Sequence, residues 1–240
     1  MGQVSDDSLR NHRIVSREQW LKERTEFLRK EKAFSRQREQ LAEERRALPW
    51  EKVEKRYLFD GATGAVTLAD LFGNQRQLVV YHFMFKPEAE AACKHCSFWG
   101  DHYSSMPAHL AHRDTALVAI SRAPLDKIEA FRKRMGWTFR WVSSGNTDFN
   151  YDFQASFTPA QLQTGSVYYN YAQTPAGPAD REGLSVFYKN EAGEIFHTYS
   201  CYARGIDMVN GTYQVIDLTP KGRNEAPGAN MAWLNYHDKY

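Results

Sequence analysis

The sequence predicts an α/β domain with a central mixed sheet flanked by helices, set behind a long N-terminal helix. Two observations predict it. Apolar runs at residues 77–85 and 115–121, the first interrupted by His82, read as strands covered on both faces, and each leads into a segment that reads as helix. Before them, Trp20, Phe27, Phe34, Leu41 and Leu48 recur every seven residues through a charged stretch, the mark of one helix face.

The elements follow in order. Residues 1–15 are polar and read as a flexible N-terminus. Ser16 is the expected N-cap of the long helix, with Gln19 completing a capping box, and Pro49 stops the helix near residue 48. Residues 16–50 thus form a helical arm, suited to packing across a domain surface or to pairing with a second copy through residues 17–48. The remainder, 51–240, forms the α/β domain. Residues 57–60 and 65–68 read as short strands around a glycine turn. Thr67 caps a helical turn through Leu71 that Gly73 ends. After the strand at 77–85 and a loop at 86–92, residues 93–112 read as one helix kinked at Pro107. The strand at 115–121 leads to an amphipathic helix at 125–135, then an extended segment at 137–143. Residues 154–182 lack a period and read as an insertion. A hairpin spans 184–200, a helical turn lies near 213–218, and a last helix is expected at 230–237. Strands alternating with helices, then an antiparallel hairpin, are the thioredoxin-like arrangement.

Composition bounds the function. The 240 residues are 42% apolar and 25% charged with a net charge of +2. That suffices for a core and supplies no field for nucleic acid or an anionic membrane. No signal-type apolar segment and no membrane-length run is present, so a soluble cytoplasmic protein is expected. Three cysteines are too few for a disulfide scaffold. In a reducing compartment a Cys-x-x-Cys pair is redox-active or metal-binding more readily than structural.

Cys93-Lys94-His95-Cys96 is that pair, where a strand hands over to a helix. The thiolate is the nucleophile. Free amides and the helix dipole stabilise an anion there, and Lys94 and His95 add positive charge. Cys93 is the expected attacking thiol and Cys96, one turn inward, the resolving thiol. Two partly buried inert thiols are the bland alternative. A zinc site is a third, but no second pair exists and no spacing recruits His82, His95, His102 or His197. No metal and no cofactor is therefore expected. His82 lies in the strand before the loop, where a core role and a proton-transfer role both stand open. Arg122 follows the next strand and Arg204 the hairpin, each a candidate to hold an anion near Cys93 or to form a structural ion pair. Cys201 reads as a buried thiol. Asp148, Asn150 and Asp152 read as turn chemistry rather than a calcium loop.

Six stretches then look familiar: Arg45-Arg46-Ala47-Leu48-Pro49-Trp50, Tyr81-His82-Phe83-Met84-Phe85, Cys93-Lys94-His95-Cys96-Ser97-Phe98-Trp99, Ser121-Arg122-Ala123-Pro124, Asp148-Phe149-Asn150-Tyr151-Asp152-Phe153 and Ser200-Cys201-Tyr202-Ala203-Arg204-Gly205. Over about residues 15–240 the chain resembles a bacterial thioredoxin-like family described as a domain of unknown function. That resemblance implies the fold and no particular activity. More distantly, residues 66–71 are similar to the opening of peroxiredoxin and thiol-reductase domains. The chain lacks the thioredoxin proline before the strand at 184, the nearest being Pro178. It also lacks the threonine of the peroxiredoxin loop between Pro87 and Cys93.

The expected function is thiol–disulfide exchange at Cys93 and Cys96 on a disulfide-containing substrate. The alternatives are peroxide reduction at the same pair and a non-enzymatic binding or scaffold protein.

Overall fold

The computed structural model describes residues 9–240. The expected flexible segment at 1–15 lies, for residues 1–8, outside the described residues. Two compact units divide the chain: residues up to Pro49 with Ile216–Asn230, and Trp50–Val215 with Met231–Tyr240. Residues 216–230 thus group with the arm rather than with the sheet.

In the first unit α1 runs Arg17–Arg46, and Ser16 Oγ accepts from the Gln19 amide at 3.2 Å. The capping box is only half made, because the Gln19 side chain turns to Glu23 instead. Such a cap contributes about 1 kcal/mol. Arg45 and Arg46 in the last turn suit the negative end of the helix dipole. The helix stops two residues before Leu48, since Pro49 disfavours a helical backbone at the residue preceding it. No residue of α1 is buried, and Trp20, Phe27, Phe34 and Leu41 are exposed.

In the second unit the elements are β1 (Glu51–Lys52), β2 (Leu58–Gly61), β3 (Gly64–Thr67), α2 (Leu68–Leu71) and β4 (Gln77–His82). Then come α3 (Lys94–Tyr103), α4 (Met106–Ala111), β5 (Thr115–Ser121), α5 (Leu125–Arg134), β6 (Arg140–Ser143) and α6 (Phe149–Asp152). They are followed by α7 (Pro159–Gln163), β7 (Ser166–Tyr169), β8 (Ala172–Pro175), β9 (Gly183–Lys189), β10 (Ile195–Tyr202) and α8 (Gly211–Ile216), whose last residue falls at the unit boundary. The eight-stranded sheet has the order β1-β10-β9-β4-β5-β6-β2-β3. β4, β5 and β6 are parallel, with β9 antiparallel to β4 and β10 antiparallel to β9. This is a central mixed sheet flanked by helices, the thioredoxin-like architecture.

Side-chain alternation along β4 divides two cores. Leu78, Val80 and His82 face one side, where Phe59, Phe72, Val118, Phe149 and Phe187 pack. Tyr81 faces the other, meeting Tyr103 of α3 edge-on at 5.1 Å. Phe83, just past the strand, continues that face and stacks on Trp141 at 4.4 Å. Gly100 lets α3 approach this layer, since a Cβ there would stand 3.1 Å from Phe83 and Trp137.

Several boundaries differ from the sequence reading. The expected kinked helix at 93–112 is two helices, α3 and α4, with Pro107 in the first turn of the second, where its missing N–H costs nothing. The expected insertion holds α7 and the β7–β8 hairpin. Thr158 and Gln161 cap α7 reciprocally, and Arg181 lies over Tyr169 at 4.8 Å. A last helix at 230–237 does not form; only a 3-10 turn, His237–Lys239, follows.

Candidate functional site

Cys93 stands at the N-cap of α3, and its amide donates to Met84 O at 2.9 Å. The Met84 amide in turn donates to Cys96 Sγ at 3.4 Å. Met84, two residues beyond the end of β4, therefore engages both cysteines. Ser97 closes the first turn, its amide and hydroxyl both donating to Cys93 O. Phe98 and Trp99 anchor the helix, the indole N–H reaching Ile206 O at 3.0 Å. The three cysteines are all thiols; Cys93 is half-buried, Cys96 and Cys201 buried.

The two sulfurs are poised oppositely. The Cys93 thiol is held down at about 4, chiefly by the Cys96 thiol directed at it, then by the His95 ring and the Cys96 amide, against burial. His95 is raised, first by the Cys93 thiolate and against burial, so thiolate and imidazolium stabilise each other. Cys96 is raised well above the ordinary thiol range by burial and then by the charge on Cys93.

Two tyrosines and a carboxylate face this pair, none of them singled out by the sequence reading. Tyr81 and Tyr103 are buried; the Tyr81 phenol lies within hydrogen-bonding reach of the Cys96 sulfur, while the Tyr103 phenol oxygen lacks a hydrogen-bond partner, a cost of about 1–3 kcal/mol. Cys96 acts on both electrostatically, and burial raises both phenols. Glu182 precedes β9. Burial raises its carboxyl, and the Cys93 thiolate raises it further. Alternation across paired strands is the signal that could have found Tyr81 and Glu182, once the register of β9 on β4 was known, and helical spacing seven residues after Cys96 the signal for Tyr103.

The other sequence candidates lie as follows. Lys94 Nζ donates to Leu234 O at 2.9 Å. His82 is on the opposite sheet face from Tyr81, buried between Asn150 Oδ1 and Ser185 Oγ at 3.3 and 2.8 Å. Arg122 Nε pairs with Asp180 at 2.7 Å, and Arg204 pairs with Asp207 at 3.2 Å on the surface. The structure thus brings together Cys93, His95 and Cys96. It turns His82 to the other face and engages Arg122 and Arg204 elsewhere. Cys201 lies opposite Leu184, which is itself opposite Tyr81. Among the described residues, no three His, Cys, Asp or Glu side chains converge as a metal site. No helix among them is long and apolar enough to cross a membrane.

Residues 9–240 match the family described as bacterial protein of unknown function (DUF899). No curated protein matches. Among solved structures, a variant of peroxiredoxin Q from Xanthomonas campestris is similar with a TM-score of 0.44 and 13% identity, over 66% of this chain and 90% of that one. The peroxidoxin BcpB of Mycobacterium tuberculosis has a TM-score of 0.45 and 14% identity, over 70% and 96%.

Proposed function

The chain belongs to the bacterial DUF899 family, and we propose that Cys93 and Cys96 make it a thiol–disulfide oxidoreductase. The observation that carries this reading is the opposite poise of two sulfurs one helical turn apart, an anion at the helix N-terminus and a protonated thiol behind it.

The Cys93 thiolate attacks one sulfur of a substrate disulfide, forming a mixed disulfide and releasing the other sulfur as a thiolate, which takes a proton from solvent. Cys96 then loses its proton and attacks Cys93. The Cys93–Cys96 bond forms, the Cys93–substrate bond breaks, and the second substrate thiol leaves. The substrate disulfide is reduced by two electrons and the protein dithiol oxidised by two. His95 holds Cys93 as the anion before the attack. The same steps in reverse oxidise a substrate dithiol.

The test is single-turnover reaction with a small aromatic disulfide, followed by peptide mapping. One Cys93–Cys96 disulfide is expected, and Cys93→Ser is expected to abolish turnover. Two thiols inert at pH 7 in the native protein would leave a binding or scaffold role on this fold. A Cys93 sulfenic acid under sub-stoichiometric peroxide would instead make the pair a peroxide reductase.

A further inference from the structure

Resolution of a mixed disulfide needs a base for Cys96. Its thiol is buried and sits well above the ordinary range, so at neutral pH it is protonated and unreactive. Cys93 cannot accept that proton once its sulfur is bonded to substrate. Tyr81 and Tyr103 are phenols whose protons are held more tightly than usual. His95 is turned to Cys93.

Register places one further group. His82 of β4 pairs with Gly183 of β9, and Tyr81 pairs with Leu184. Side chains two residues apart share a face, so Glu182 lies on the face of Leu184, Tyr81 and α3. Continuing the register sets it across from Phe83, one residue before Met84, whose amide binds Cys96 Sγ. Glycine is required at 183, because a Cβ there would sit 2.5 Å from the Tyr202 ring. The Glu182 carbonyl is held by the Tyr169 hydroxyl at 2.7 Å. The carboxylate itself is half-buried, and its one hydrogen-bond partner is its own amide. The neighbouring Arg181 guanidinium is committed to Thr174 and to Pro175 O. Burial disfavours the charged form of this carboxylate, and His95 and Arg181 act on it only through space.

We propose that Glu182 is the proton acceptor for Cys96 during resolution of the mixed disulfide. The carboxylate takes the Cys96 proton, the Cys96 thiolate attacks the Cys93 sulfur, and the departing substrate thiolate is reprotonated from solvent or from the Glu182 carboxylic acid. In the reverse direction Glu182 returns the proton to Cys96. Cys93, His95 and Arg181 are the charged groups that act on Glu182, and its raised carboxyl places it nearer neutrality than an ordinary glutamate, the direction that favours proton exchange at physiological pH.

This inference rests on the proposed thiol–disulfide exchange, and one experiment separates the two. Reduced protein is mixed with excess 5,5′-dithiobis(2-nitrobenzoate), and the two phases of thionitrobenzoate release are followed from pH 5 to 9. In the unaltered protein the first phase reports Cys93 attack and the second reports resolution. Glu182→Gln is expected to leave the first phase unchanged and to slow the second about a hundredfold, the lower range for loss of a general base. It should also remove an inflection from the second phase's pH profile. Glu182→Asp should restore part of the rate and the inflection. A second phase unchanged in Glu182→Gln would overturn the role of Glu182 and leave the exchange reaction standing. Both phases slowed equally, with no change in pH profile, would also overturn it, as a purely structural effect. Absence of any second phase in the unaltered protein would overturn the exchange reaction itself.

Discussion

Arg122 Nε donates to Asp180 Oδ1 at 2.7 Å, an ion pair in which the arginine side chain is 15% and the aspartate 4% exposed. Ser156 Oγ donates to the same oxygen at 2.8 Å, and Arg122 also donates to Tyr151 Oη at 3.0 Å. An arginine so engaged ties β5 to the segment before β9 and is not available to an anion at Cys93. Removing it leaves a buried, uncompensated carboxylate, which costs about 3–5 kcal/mol. Arg122→Met is therefore expected to lower the urea midpoint by that much stability while leaving Cys93 alkylation at its original rate. Lost alkylation in a folded variant would return Arg122 to the site.

The depressed Cys93 thiol sets both a pH profile and a redox direction. The thiolate is present above about 4. Iodoacetamide modification of Cys93 should thus stay flat from pH 7 down to pH 5 and halve near pH 4. His95→Ala, which removes a group holding the anion, should move that inflection upward. A low thiol pKa stabilises the reduced form, which makes the disulfide a stronger oxidant. The Cys93–Cys96 couple should lie at least tens of millivolts above the roughly −270 mV of thioredoxin. An inflection near 8.5 with a potential below thioredoxin's would contradict both expectations.

How far the site was legible in the sequence follows from the range of each interaction. Cys93, His95 and Cys96 lie within one helical turn, so spacing alone assembled them. Glu182 meets the pair only through the pairing of β9 with β4, strands about a hundred residues apart in the chain, and no local pattern carries that register. His82 shows the same limit from the other side. Closeness in sequence to the loop suggested the site, and alternation along β4 sent the ring to the opposite face. The β7–β8 hairpin was hidden because its strands are four residues each and only β7 alternates, burying Val167 and Tyr169, while β8 is largely exposed, which leaves too short a pattern to read.

His82 makes the fold itself sensitive to acid. Burial lowers its pKa to about 4, aided by His197 and opposed by the hydrogen bond to Asn150. The neutral ring that satisfies both partners carries its proton on Nδ1, donating to Asn150 and accepting from Ser185 at Nε2. Between about 6.5 and 4 the unfolded chain binds this proton and the folded chain does not, so stability falls as pH falls through that window. The loss reaches roughly 3 kcal/mol by pH 4. Urea unfolding at pH 7, 5.5 and 4.5 should show it, and His82→Gln should flatten the dependence by that amount even where the variant is less stable throughout. Parallel pH dependences in the two proteins would remove His82 as the source.

The segment Met231–Tyr240 packs against the residues around Cys93. Tyr236 Oη donates to Ala92 O at 2.6 Å, Lys94 Nζ reaches Leu234 O at 2.9 Å, and Trp233 meets Phe98 edge-on at 5.7 Å. Arg134 grips Asp238 with two hydrogen bonds of 2.8 and 2.9 Å. Burial raises the Tyr236 phenol, and the Cys93 thiolate raises it further. Tyr236→Phe removes one part-buried hydrogen bond, an effect of about 1 kcal/mol, so the segment should open several-fold more often. Deleting residues 232–240 should open it fully. The measurement is the ratio of Cys93 modification by a bulky maleimide to that by iodoacetamide, with circular dichroism verifying the fold. The ratio should rise in Tyr236→Phe and rise further on deletion. An unchanged ratio in both variants would mean that the sulfur is shielded by its own loop, at residues 86–92, and not by the C-terminal segment.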